Sequence, residues 1–155
     1  MTAQSFDKII FLDIDGVLNS KFFDKLRKRD PEYLGFHFCP RASFALNHIL
    51  KSAPDWFIVI SSDWRKHHSL EELKQFMALS GIDSSKVIGV TQISQQGRAK
   101  EISLWVKENN VSKFIIIDDT RSHFINELGE FLTLTSEIDG LTMSLADEAL
   151  ELMLK

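Results

Sequence analysis

Two carboxylates one residue apart, Asp13 and Asp15, follow the apolar run Ile9-Ile10-Phe11-Leu12 and precede Gly16. In an extended segment side chains alternate in direction, so the two acids point the same way at the strand end while Ile14 points into the core. Side by side they repel, raising at least one pKa unless a cation lies between them. A divalent metal meets that need. Two more apolar runs end in polar pairs: Trp56 to Ile60 closes in Ser61-Ser62, and Phe114 to Ile117 closes in Asp118-Asp119. Hard divalent cations take oxygen ligands, and Mg2+ typically combines one or two carboxylates with waters and a substrate phosphate. The set therefore implies a phosphorylated partner. A phosphoryl group in transfer also needs a cation from the protein, because its catalysis is mainly positioning and charge stabilisation. Arg98 and Lys100, which open a predicted helix upstream of Asp118, are the candidates. Backbone amides of that first turn would add to the anion site.

Taken singly, each pair also has a structural reading. Serines and aspartates after a strand serve as caps of the next helix, and Arg98 and Lys100 suit a solvated surface. The joint occurrence of these pairs, in this order, at the ends of buried strands is what favours chemistry.

The elements that must position these residues alternate along the chain. Continuous apolar runs suit strands buried on both faces, as in a parallel sheet. After the first strand, Asn19 and Ser20 are placed to cap a charged helix over 21–30 that Pro31 stops. Residues 31–40, with Tyr33, Phe36, His37, Phe38 and Cys39, form an aromatic-rich stretch: a flap over the site, or a loop packed on the core. Apolar positions Ala42, Ala45, Leu46, Ile49 and Leu50 mark a helix that lies on a sheet. Ser69 with Glu72 reads as a capping box for a helix through Leu73, Phe76 and Met77 that Gly81 ends. A short strand over 87–90 follows, then an amphipathic helix through Ala99, Ile102, Trp105 and Val106. After the Phe114 strand, Phe124, Ile125 and Leu128 predict a short helix, 131–134 a last strand, and Leu145, Ala149, Leu150 and Met153 a closing helix. This alternation predicts an α/β fold: a central parallel sheet with helices on both faces, joined by right-handed crossovers. Carboxyl ends of parallel strands share one edge, so the polar pairs converge there.

The chain has 155 residues, which suits a single domain over 1–155 with a sizeable core. With 44% hydrophobic and 26% charged residues it has the balance of an ordinary globular protein. A formal net charge of −4 argues against strong sequence-independent binding to nucleic acid or anionic membrane. Cys39 is the only cysteine, so no intramolecular disulfide forms. The absence of a basic-then-apolar leader and of a membrane-length apolar run gives a cytoplasmic expectation.

The motif Asp13-Ile14-Asp15-Gly16-Val17 resembles the first motif of the haloacid dehalogenase (HAD) superfamily of Mg2+-dependent phosphohydrolases, and the later motifs follow in the right order. The resemblance implies a three-layer α/β/α Rossmann-like fold. It also implies roles. Asp13 would be the nucleophile that forms an aspartyl phosphate, and Asp15 the general acid/base. Ser61, with Ser62 as the alternative, would bind phosphate. Arg98, or Lys100, would be the third-motif base, where lysine is commoner in the family. At least one of Asp118 and Asp119 would hold Mg2+ alongside the Asp13 carboxylate and the Asp15 backbone carbonyl. The phrases FLDIDGVLN, ISSDWR, GRAKEISLW, IIIDD and a late GLT look like the small branch named for domains of multi-domain RNA repair proteins. In that branch substrates can be nucleic-acid ends. Residues Arg65 to His68 and Arg27 to Arg29 are candidates for a basic lip. The only insertion after the first motif, 20–40, is too short for a large cap domain, which implies an open site that admits bulky substrates. The leading expectation is a phosphatase. A non-catalytic module that binds Mg2+ and phosphate, or a receiver-like phosphoacceptor, would have no use for the acid/base Asp15.

Overall fold

The computed structural model describes residues 6–155. Its order is strand β1 (Lys8–Leu12), helix α1 (Lys21–Arg29), helix α2 (Pro40–Ser52), strand β2 (Phe57–Ile60), helix α3 (Leu70–Leu79), strand β3 (Val87–Val90), helix α4 (Arg98–Glu108), strand β4 (Lys113–Asp118), strand β5 (Leu132–Leu134) and helix α5 (Met143–Met153). The five strands form one parallel sheet in the order β3-β2-β1-β4-β5. Strand β1 is the middle strand, and every residue from Ile9 to Leu12 is buried. The chain winds outward from β1 through β2 to β3, then crosses back to place β4 on the other side. That reversal makes the β1/β4 boundary a topological switch point, the crevice where open α/β sheets bind ligands.

Alternation along the strands divides the interior into two cores. Ile10, Leu12, Ile58, Ile60, Ile115 and Ile117 face α2, α3 and α5. Ile9, Phe11, Phe57, Val59, Phe114 and Ile116 face the opposite side, where Ala99, Ile102, Trp105 and Val106 of α4 meet them. The result is the three-layer α/β/α fold, with unequal outer layers.

The helix ends follow local chemistry. Ser20 caps α1, its Oγ accepting from the Phe23 N–H at 3.2 Å. The Ser69/Glu72 capping box is formed in both directions, at 3.2 and 3.0 Å. Pro31 opens a 3-10 turn over Pro31–Gly35, and the segment beyond it is pinned to the core by Phe38 and Cys39. One predicted element differs. Around Phe124, Ile125 and Leu128 there is a single 3-10 turn, Arg121–Phe124, in place of a helix. Only Phe124 is buried; Ile125 is exposed, and Leu128 has φ +68°. The segment has one apolar anchor and no stripe. Among the described residues, no helix is long and apolar enough to cross a membrane.

Candidate active site

Parallel pairing continues one residue beyond β1 and β2. The Asp13 N–H donates to the Ile117 carbonyl at 3.0 Å and the Ser61 N–H to the Leu12 carbonyl at 2.8 Å. The ends of β1, β2 and β4 are thereby brought level. Immediately after Asp13 the chain curls back: the N–H groups of Val17, Leu18 and Asn19 converge on the Ile14 carbonyl at 2.8–3.2 Å. Gly16, at φ +79°, makes the curl possible. It is also crowded, since a Cβ there would lie 2.0 Å from Asp119 Oδ2. The glycine thus lets the first-motif backbone and the Asp119 carboxylate share one space.

Asp13, Asp118 and Asp119 each offer an oxygen within 4.8 Å of the others'. Asp13 Oδ1 accepts from the Ile14 N–H at 2.8 Å, and Asp118 Oδ1 from the Thr120 N–H at 2.9 Å. Asp119 Oδ1 accepts from the Thr120 hydroxyl at 3.1 Å. Burial pushes the Asp13 carboxyl up to about 8, with the Asp118 charge adding to the rise and Arg98 opposing it. Burial likewise pushes Asp118 up to about 6, against the Thr120 N–H and Arg98. Three converging acids, two of them buried, are costly without a cation among them. Their hard oxygens and spacing suit Mg2+. The Asp15 carboxylate stands apart from this trio: it is exposed, on the rim of a pocket of about 300 Å³ lined also by Asp63, Trp64, His67 and His68.

Arg98 is the protein's cation at the cluster. Its side chain is 8% exposed, with Nη1 3.3 Å from Asp118 Oδ2 and 3.8 Å from Asp13 Oδ1, and Nη2 3.1 Å from Asp63 Oδ1. Lys100, two residues on along α4, is exposed; Arg98, in place of Lys100, is what reaches the acids. The serines also separate. Ser62 Oγ caps the turn Asp63–Lys66 by accepting from the Trp64 N–H at 3.2 Å, so the structural reading holds for it. Ser61 is 1% exposed, and its Oγ has no hydrogen-bond partner among the described residues.

Two features lie beyond what the sequence pattern marks. Arg65, expected on a basic lip, has a side chain only 3% exposed, 2.6 Å from the buried Glu101. Lys66 pairs with Asp63 at 3.4 Å, so His67 and His68 are what the 65–68 run presents to the pocket. Glu101 went unmarked; the signal for it was its position three residues after Arg98 on one helix. The second feature is a clasp. Thr135 Oγ1 donates to the Gly16 carbonyl at 2.6 Å, and the Leu141 N–H to the Val17 carbonyl at 2.8 Å. Gly140 packs so closely that a Cβ would lie 2.7 Å from the Val17 oxygen. The late GLT phrase therefore holds the first-motif turn from behind.

No curated protein matches the chain. The family model for the HAD domain in Swiss Army Knife RNA repair proteins matches residues 9–146, from the first buried residue of β1 into α5. HAD families are generally phosphohydrolases that use Mg2+, which agrees with acids gathered at the carboxyl edge of a parallel sheet. With the match covering the strands from Ile9 onward and every residue of the site, the chain belongs to the family of HAD domains found in Swiss Army Knife RNA repair proteins.

Proposed function

We propose that the protein is a Mg2+-dependent phosphomonoesterase working through an aspartyl phosphate on Asp13. The observation that carries this reading is the convergence of Asp13, Asp118 and Asp119 within 4.8 Å, with the Arg98 fork against two of them. Asp13 and Asp118, with Asp119 behind Gly16, would hold Mg2+, and when bound it supplies the positive charge that keeps Asp13 ionised and offsets phosphoryl charge. Asp13 attacks phosphorus, and the bond from phosphorus to the ester oxygen breaks. Asp15, on the solvent side, gives its proton to the departing oxygen. The Asp15 carboxylate then takes a proton from water, whose oxygen attacks phosphorus and releases Asp13 and inorganic phosphate. Arg98 and the Ser61 hydroxyl donate to the phosphoryl oxygens throughout. The Ser61 hydroxyl, unpartnered among the described residues, supports its assignment over the capping Ser62.

The substrate we propose is a phosphorylated nucleic-acid end. Support comes from the family's place in RNA repair proteins and from the exposed position of Asp15, which leaves room for a polymer beyond the ester oxygen. Within the 65–68 run Arg65 is interior and the exposed Lys66 is paired with Asp63, so this run offers little unpaired basic charge for a long tract, which suits recognition of an end. Hydrolysis of an aryl phosphate that requires Mg2+ and is lost in Asp13→Asn tests the chemistry; undiminished turnover in that variant refutes it. A panel of phosphorylated oligonucleotide ends, nucleotides, sugar phosphates and phosphopeptides tests the substrate, with preference for any of the last three overturning it.

A further inference from the structure

We infer that Glu101 and Arg65 are positioning residues: a buried brace that fixes the rotation of the Arg98 guanidinium and ties the Ser61-Ser62 backbone to it. Their side chains are 5% and 3% exposed, so they act through Arg98 and the loop. Glu101 Oε1 faces Arg98 Nε at 3.4 Å, while its Oε2 accepts from Arg65 Nη2 at 2.6 Å and from the Ser94 N–H at 2.8 Å. Arg65 Nη1 donates to the Ser62 carbonyl at 2.8 Å, and Arg98 Nη1 donates to the adjacent Ser61 carbonyl. These hydrogen bonds, together with the Arg98–Glu101 ion pair, close a ring: Ser61, Arg98, Glu101, Arg65, Ser62.

A guanidinium is a flat fork, so holding Nε from one side fixes where the other two nitrogens point. Here Nη1 and Nη2 are aimed at Asp118, Asp13 and Asp63. A lysine at position 98 would have no Nε and nothing for Glu101 to orient. The brace therefore suits the arginine this chain carries where the resemblance makes lysine commoner. Stability is a weak reason for such a buried set of two cations and a carboxylate, since apolar replacements of buried ion triads are often neutral or stabilising. Aim at the neighbouring site is the stronger one.

The effect on turnover rests on the phosphatase reading; the brace itself does not. The test uses Glu101→Gln, Arg98→Lys and the double variant in the full chain, with aryl phosphate and Mg2+ for kinetics and 15N NMR of the arginine Nε–H groups for geometry. The Arg98 Nε–H signal, assigned by its loss in R98K, should be protected from exchange in the wild type and should lose about tenfold or more of that protection in E101Q. In E101Q, kcat should fall about 10- to 100-fold, as expected for misaim of a charge-stabilising group. In the R98K background the same substitution should change kcat less than about twofold, because the interaction is already gone. Equal losses in both backgrounds, or a fully protected Arg98 Nε–H in E101Q, overturn the brace. If the wild type fails to turn over aryl phosphate while E101Q still unprotects Arg98, the brace stands and the phosphatase reading falls.

Discussion

Replacing the proposed nucleophile should make the metal-depleted protein more stable. Folded Asp13 keeps its proton up to about 8, against an ordinary value of 3.8. A raised acid binds protons in the folded state that the unfolded chain has released, so stability falls as pH rises between those two values. At pH 7 about three pH units of that gap are realised, worth up to ~4 kcal/mol at ~1.4 kcal/mol per unit. Asp13→Asn retains an Oδ1 acceptor for the Ile14 N–H and removes the charge. With discount for relaxation around the site, a gain of ~2–4 kcal/mol corresponds to roughly 5–15 °C in Tm for a chain of this size. The assay is thermal unfolding in EDTA, followed by circular dichroism, at pH 5 and pH 7.5. The D13N advantage should be small at pH 5 and large at pH 7.5. Added Mg2+ should narrow it, because the wild type gains binding free energy that the variant loses. A variant that melts at or below the wild type at pH 7.5 in EDTA, with no pH trend, refutes the electrostatic reasoning.

Asp15→Asn should lower kcat by about 10²- to 10⁴-fold, with less effect on substrates whose leaving oxygen needs no proton, checked by comparing alkyl and nitroaryl phosphates. Ser61→Ala should leave Tm within about 1 °C, since its hydroxyl satisfies no partner among the described residues, and weaken inorganic phosphate binding about tenfold by calorimetry. Gly16→Ala places a methyl where Asp119 Oδ2 lies at a positive φ, so Mg2+ affinity by titration should drop about 10- to 100-fold and stability should fall by roughly 1–3 kcal/mol.

Much of the site was legible because it sits where runs of residues buried on both faces stop. Ile9 to Leu12, Phe57 to Ile60 and Phe114 to Ile117 announce buried strands by continuity alone, and parallel pairing then forces Asp13, Ser61 and Asp118 to one edge. Ser69 with Glu72 was legible for a similar reason, its hydrogen bonds being three residues apart. Arg65 was not. A charge in a run of charges looks solvated, and its carboxylate lies 36 residues ahead, on another element. The division between Ser61 and Ser62 depends on which hydroxyl the following turn uses. The false helix near Phe124 came from apolar spacing without a cap or a second buried position. The uneven layers escaped for want of any local mark: α2, α3 and α5 resemble α4 in pattern, and only the crossovers decide the face.

The clasp on the first-motif turn has a consequence for the order in which the chain is made. Gly16 and Val17 find the partners of their carbonyls at Thr135 and Leu141, more than a hundred residues later. A nascent chain that has just delivered β4 already holds Asp13, Asp15, Arg98 and Asp118, yet the turn that carries Asp13 and Asp15 still lacks its backing. Synthesis from the amino end therefore leaves the site unfinished until nearly the whole domain has left the ribosome. A truncation before 135 should behave as a folding intermediate with its motifs intact and its chemistry silent.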